Sequence, residues 1–274
     1  MPFTYYSETM RKMLYVLLSH DADWPIQGPG KNHILARQNR FTPEVIAKVK
    51  ALNYNPYYNI PEIMDIEKGF GVKSTFFFRP RYEDGTPVDC YSKIMFELWR
   101  KGWEVGLHIN DTSNVNTLRA EKNIIETVLQ RPVYGARAHY HRIDPANLPL
   151  LSEMGIKYDS SIIHRRDVID TQNMGYYKVG ELVEFPVTLA EVFMFAPQCM
   201  NLSEKELVPT VAKAVRQARK FGFMSLVWHD CSLKMEKGRK FPEIIQFLVE
   251  QDNLRIIRCI DAYNLVINLQ TNQL

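Results

Sequence analysis

Four short stretches carry the residue types that acid–base or metal chemistry needs. They are Ser19-His20-Asp21-Ala22-Asp23, Gly106-Leu107-His108-Ile109-Asn110-Asp111, Gly135-Ala136-Arg137-Ala138-His139-Tyr140-His141-Arg142 and Leu226-Val227-Trp228-His229-Asp230. In the first, two carboxylates two residues apart would lie on one side of an extended chain. Like charges that close are unfavourable unless a cation or a proton divides them. Capping a turn is the commoner task for Asp after a strand, yet this pairing favours a metal ligand beside a general base. Arg137, behind an apolar run, is placed to pair with a carboxylate. His108 alone would be a hydrogen-bonded core histidine; the acids before and after it make it a candidate ligand. His33 and His164 stand among polar residues and are expected at the surface. Cys231 lies two residues beyond His229, but nothing nearby would lower a thiol pKa, so no cysteine nucleophile is expected.

Elements that could bring these stretches together are visible as short apolar runs alternating with helical spacing. The expected strands are Leu14–Ser19, Lys73–Phe78, Trp103–Leu107, Val133–Ala136, Leu182–Val187, Phe223–Trp228 and Leu254–Arg258. Helices are expected from Asn59 (cap) and Pro61 to Gly69, over Tyr91–Lys101 and Leu118–Leu129, from Ser203 with Glu206 as a capping box to about Phe221, and over Pro242–Val249 and Asp261–Leu269. Strand-then-helix alternation implies parallel strands joined by right-handed crossovers. With no Gly/Ser linker and no internal repeat, it predicts one barrel-like α/β domain over residues 1–274. Ligands of such folds sit at the C-terminal ends of the strands, where each of the four stretches falls. The segment of about 24–58 is too long for a simple loop. It is expected to be an insertion with its own helix from Thr42 (cap) and Pro43 to Leu52, over the barrel mouth, where Tyr54, Tyr57 and Tyr58 either reach substrate or pack the insertion down.

Composition narrows the field further. Lys and Arg number 34 against 31 Asp and Glu, giving a net charge of +3. That near balance, without a block of like charges, argues against a nucleic-acid-binding or acidic tail. No apolar run approaches the ~18 residues of a membrane span. Met1–Met13 carries Ser7, Glu8, Arg11 and Lys12 and lacks the apolar core of a secretory signal. The four cysteines lie far apart with no C-x-x-C. The expectation is a soluble, cytoplasmic protein with neither a nucleic-acid nor a membrane partner.

The stretches resemble, in order, the motifs of the polysaccharide deacetylase (NodB-homology) family. The family's T-F-D-D looks like Ser19-His20-Asp21-Ala22-Asp23, and its second strand like Gly71-Val72-Lys73-Ser74-Thr75-Phe76-Phe77-Phe78. H-[ST]-x-x-H begins at His108, R-x-P-Y looks like Arg137-Ala138-His139-Tyr140, and L-x-L-H looks like Leu226-Val227-Trp228-His229. Tyr158-Asp159-Ser160-Ser161 resembles the fourth motif. Two positions depart: Thr112 stands where the second metal histidine belongs, and His139 where the proline does.

The resemblance implies a distorted (β/α)7 barrel and metal-assisted removal of an N-acetyl group from an amino sugar or polysaccharide. It implies Asp21 as general base held by Arg137, His229 as general acid tuned by Asp159, and Asp23 with His108 on a divalent ion, with zinc the expected species. The Tyr140 backbone N–H would be an oxyanion donor, and Trp24, Trp228 and Tyr140 faces for sugar stacking. The missing ligand is expected from His139, with Asn110, Thr112 or water as the alternatives. The expected partner is a carbohydrate or another small acylated amine. Two rivals remain: a C–N hydrolase of the same fold acting on a small amide or ureide, and a carbohydrate-binding relative without catalysis.

Overall fold

The computed structural model describes residues 13–52 and 54–271; the N-terminal segment read above lies outside them, apart from Met13. Strand β1 (Leu14–Ala22) is buried along almost its whole length, as a strand covered on both faces must be. On one edge it pairs with β9 (Phe223–Val227). Its other edge is shared, β10 (Leu254–Ile257) taking Leu14–Leu17 and β2 (Thr75–Phe78) taking Ser19–Ala22. Beyond β2 follow β3 (Glu104–Ile109), β4 (Gly135–Ala138), β5 (Tyr158–Asp159) and β7 (Leu182–Glu184), all parallel, with β6 (Tyr177–Val179) antiparallel on β7. β8 (Val187–Ala190) lies on the far side of β9.

One expected strand is therefore two. Leu182–Val187 breaks at Phe185-Pro186, because proline has no N–H to offer a ladder, and the halves lie near opposite ends of the curled sheet. The barrel interior is packed. Leu17, Phe77, Tyr158, Val183, Phe185 and Phe223 fill it, against Cys259, Ala262 and Val266 of α10 (Cys259–Thr271). Gly106 and Gly135 leave room for the Phe77 and Tyr158 rings, into which a Cβ would collide.

Outside the sheet, α3 (Ile60–Gly69), α4 (Ser92–Arg100), α5 (Val115–Leu129), α8 (Glu204–Ala218) and α9 (Phe241–Val249) bury their apolar stripes. α8 opens with the expected Ser203–Glu206 capping box. Asn59 precedes α3 but its side chain does not cap it; the amide donates instead to the carbonyls of Pro56 and Asp230. A short α6 (Leu148–Glu153) follows β4, and α7 (Glu191–Phe195) follows β8.

The insertion carries α1 (Lys31–Leu35) and the expected α2 (Pro43–Leu52), with Thr42 accepting from the Val45 N–H. Ile34, Phe41, Ile46, Val49 and Tyr57 form a small core of their own that includes Cys231. Tyr57 is 3% exposed and Tyr58 packs on Tyr91, so these two tyrosines anchor the insertion rather than present rings to solvent. His33 is not a free surface residue either, since its ring lies edge-on to Trp24 and Tyr57. Among the described residues no helix is long and apolar enough to cross a membrane.

Candidate active site

Strand alternation decides which side chains of the first stretch face the site. His20 points away: Nδ1 donates to the Trp228 carbonyl at 2.6 Å and Nε2 meets Glu67 at 2.7 Å, in a buried cluster with Ser74 and Trp103. Asp21 points inward and meets Arg137, whose Nη1 donates to Oδ1 at 2.8 Å. The guanidinium is fully buried, lies over the Phe77 ring, and donates its other N–H groups to the carbonyl and hydroxyl of Ser160. Burial alone would raise the Asp21 pKa, but Arg137, with His108 and His229, outweighs it and holds the carboxyl well below the usual range. Asp21 is thus a fixed, ionised carboxylate.

Asp23, just beyond the strand, meets two imidazoles. Its Oδ1 lies 3.2 Å from His108 Nε2 and 3.3 Å from His139 Nδ1, and those two nitrogens are 3.2 Å apart. His108 Nδ1 donates to the Arg137 carbonyl at 2.9 Å, which leaves Nε2 as the lone-pair nitrogen facing the cluster. Burial works against ionising Asp23, yet His229, His108 and His139 drive its pKa well down. The nitrogen-and-carboxylate set suits a divalent ion: tetrahedral ligands at ~2.0 Å from zinc would be roughly 3.3 Å apart, the spacing seen here. A backbone carbonyl fixing the tautomer of a ligand imidazole is the usual supporting contact.

His139 reaches the cluster through a turn that simple alternation would not give. β4 stops at Ala138, and Tyr140 and His141 adopt left-handed conformations with φ of 58° and 56°. Two consecutive non-glycine residues there are strained, and such strain clusters at functional sites. His141 stays out of the cluster, half-buried beside Phe193, and desolvation together with Arg137 pushes its pKa down to about 3. Tyr140 is 53% exposed and its hydroxyl donates to Glu83. The other candidate ligands lie outside the cluster. Asn110 bonds Arg79 and the Arg81 carbonyl, and Thr112 donates to the Arg142 carbonyl.

His229 closes the opposite side. Its Nε2 is 3.7 Å from Asp21 Oδ2 and 3.5 Å from Asp23 Oδ2, while Nδ1 sits 2.9 Å from Glu191 Oε1. Burial disfavours the charged ring, but Glu191 and then Asp23 overcome it and raise its pKa to about 10. Two expectations are corrected here. Asp159 does not tune His229: its carboxylate accepts from the N–H and hydroxyl of Ser161, and Glu191, fully buried and also bonded by Ser232, takes that place. Trp228 cannot stack on a ligand, because it is fully buried against Phe195 and Phe241. Glu191 was missed because the Pro186 break was not seen; an acid directly after the apolar run Val187–Ala190 follows the same pattern as the other stretches.

Glu121 of α5 fastens the loop after His108 by accepting from the Asn110 N–H at 2.9 Å. Burial raises its pKa to about 7, against the ordinary 4.5. A carboxyl whose folded pKa is raised adds no penalty below 4.5, and its ionisation destabilises the fold as pH climbs to 7. Glu121→Gln should therefore be more stable than the wild type at pH 8, by up to about 2–3 kcal/mol, and nearly equal to it at pH 4.5. Urea unfolding at both values checks this; a difference independent of pH would remove Glu121 as the cause.

Two cavities flank Asp23. One, of about 250 Å³, lies beneath the insertion with Trp24, His33, Arg79 and Glu83 in its wall. The other, of about 570 Å³, is lined by Asp21, His229, His141 and residues of α7.

No protein-family model matches this sequence, and no curated protein matches it. Solved structures do. A putative polysaccharide deacetylase from Mycobacterium smegmatis superposes with a TM-score of 0.66 at 18% identity, covering 98% of this chain and 96% of its own. Puue allantoinase gives 0.65 at 11% identity over 93% and 91%. A probable polysaccharide deacetylase from Pseudomonas aeruginosa PAO1 gives 0.62 at 13% identity, again over 93% and 91%. The chain has the fold of the polysaccharide deacetylases, the distorted barrel that the motif order implies.

Proposed function

We propose that this protein is a metal-dependent hydrolase that removes the N-acetyl group of an amino sugar. The observation that supports it is a division of protons. A carboxylate held ionised by Arg137 and an imidazole held protonated by Glu191 stand 3.7 Å apart beside the Asp23–His108–His139 cluster. Two titratable groups driven apart in this way form an acid–base pair. Asp23, His108 and His139 would hold the metal. When bound, the ion supplies Lewis acidity toward the acyl oxygen and the attacking water. Asp21 takes the proton of that water, and Arg137 keeps its carboxylate oriented. His229 delivers a proton to the leaving amine, with Glu191 setting its orientation. The Tyr140 N–H is the donor toward the acyl oxygen.

A purified sample should carry about one divalent ion per chain and release acetate from N-acetylated chito-oligosaccharides, and chelation should stop the release. His108→Ala and His139→Ala should each lower metal content in elemental analysis. Full occupancy in His139→Ala, with loss in His108→Ala, removes His139 from the site. A second reading, hydrolysis of a small amide or ureide, is favoured by the likeness to an allantoinase, which is as strong as that to the deacetylases. Ureide consumption without acetate release would select it. A metal-free protein that turns over neither substrate would leave carbohydrate binding alone.

A further inference from the structure

The two cavities beside Asp23 differ in charge. In the smaller, the Arg79 guanidinium faces Glu83 at 3.6 Å and bonds Asn110, and Asp84 adds another acid to the wall. In the larger, Arg142 and Arg166 line the wall, and among the described residues neither pairs with a carboxylate. Both are nevertheless held. Arg142 lies 5.0 Å over the Tyr140 ring and Arg166 4.9 Å over the Phe193 ring, with Arg166 Nη2 donating to the Tyr140 carbonyl. Aromatic faces position guanidinium groups without neutralising them. The acids deeper in this cavity are already matched, Asp21 by Arg137 and Asp23 by the imidazoles. Two cations therefore stand uncompensated at the mouth of the acid–base pair.

We propose that the larger cavity takes an anionic substrate, an N-acylated amino sugar bearing a carboxylate or phosphate that Arg142 and Arg166 clasp. This rests on the deacetylase reading for the sugar, but the anion site itself does not depend on turnover. A guanidinium fork matches either oxyanion through paired N–H donors. Val192, Phe193 and Ala196 supply an apolar wall for the sugar's carbon face, and the shared Asp23 puts the acyl group at the chemistry.

Direct binding tests it, by calorimetry on the intact protein with N-acetylglucosamine, N-acetylmuramic acid and N-acetylglucosamine 6-phosphate. At least one charged sugar should bind about tenfold or more tightly than the neutral one, the scale of a charge-assisted hydrogen bond. Whichever it is distinguishes carboxylate from phosphate. The preference should shrink with added salt and vanish in Arg142→Gln/Arg166→Gln, whose thermal unfolding should match the wild type because neither side chain is buried. Equal affinities across the panel, including no binding by any of the three, overturn the proposal, as does a preference that survives in the double variant. Charge preference without acetate release would sustain the anion site and sink the deacetylase reading; acetate release without charge preference would do the reverse.

Discussion

Asp21→Asn should lower turnover by about a hundredfold or more, the usual scale for losing a positioned proton acceptor. The amide keeps the shape of the carboxyl and can still accept from Arg137 Nη1, so the geometry of the pair survives while the base does not. His229→Ala should cause a loss of similar size from the acid side. The two can be separated by substrate: an activated aryl acetate ester, whose phenolate leaves without protonation, should recover in His229→Ala and not in Asp21→Asn. Wild-type turnover by either variant on a confirmed substrate would sink the assignment.

Arg137→Met should be the most destabilising single change in the site. The guanidinium is fully buried and bonds Asp21 and Ser160 at once. Removing one partner of a buried pair leaves the other charge unmatched, at about 3–5 kcal/mol. The pH dependence should also reverse. In the wild type the Asp21 pKa is depressed, so its contribution is present above the ordinary carboxylate pKa near 3.8 and is lost as pH falls toward the folded value. Without Arg137, burial dominates and raises that pKa, so the variant should lose further stability as pH rises through the carboxylate range. Unfolding by urea from pH 4 to 8 reads both effects. A variant within about 1 kcal/mol of the wild type throughout would show that water, not Arg137, solvates Asp21.

Much of this site was legible from the residues because strand ends are marked by simple signals. An apolar run followed by Asp, His or Arg located Asp21, Asp23, His108, Arg137 and His229, and the sheet brings all five within one cluster. Where the reading failed, a local feature interrupted periodicity. Pro186 divided one apolar run into strands at opposite ends of the sheet and hid Glu191. Trp228 looked like a platform because its position beside His229 suggested the mouth, yet alternation turns consecutive side chains to opposite faces. The same rule sends His20 away from Asp21. His139 was anticipated from alternation beyond Arg137, but the structure delivers it by a left-handed turn, which no period in the sequence announces. Asp159 was carried by the motif's likeness alone, and proximity to Arg137 did not extend to His229.

The origin of the three candidate ligands has a mechanical consequence. Asp23, His108 and His139 leave the ends of β1, β3 and β4, and 85 and 31 residues separate successive members. Histidines one helical turn apart would tie a helix only to itself. Here a bound ion would be a rivet through three strands, closing long loops of chain whose entropy it would remove from the unfolded ensemble. It rewards only the assembled rim, so the melting temperature should climb with free metal by mass action, about 2.7 kcal/mol at a hundred times the dissociation constant. Metal supply would then govern how long the molecule lasts as well as how fast it works.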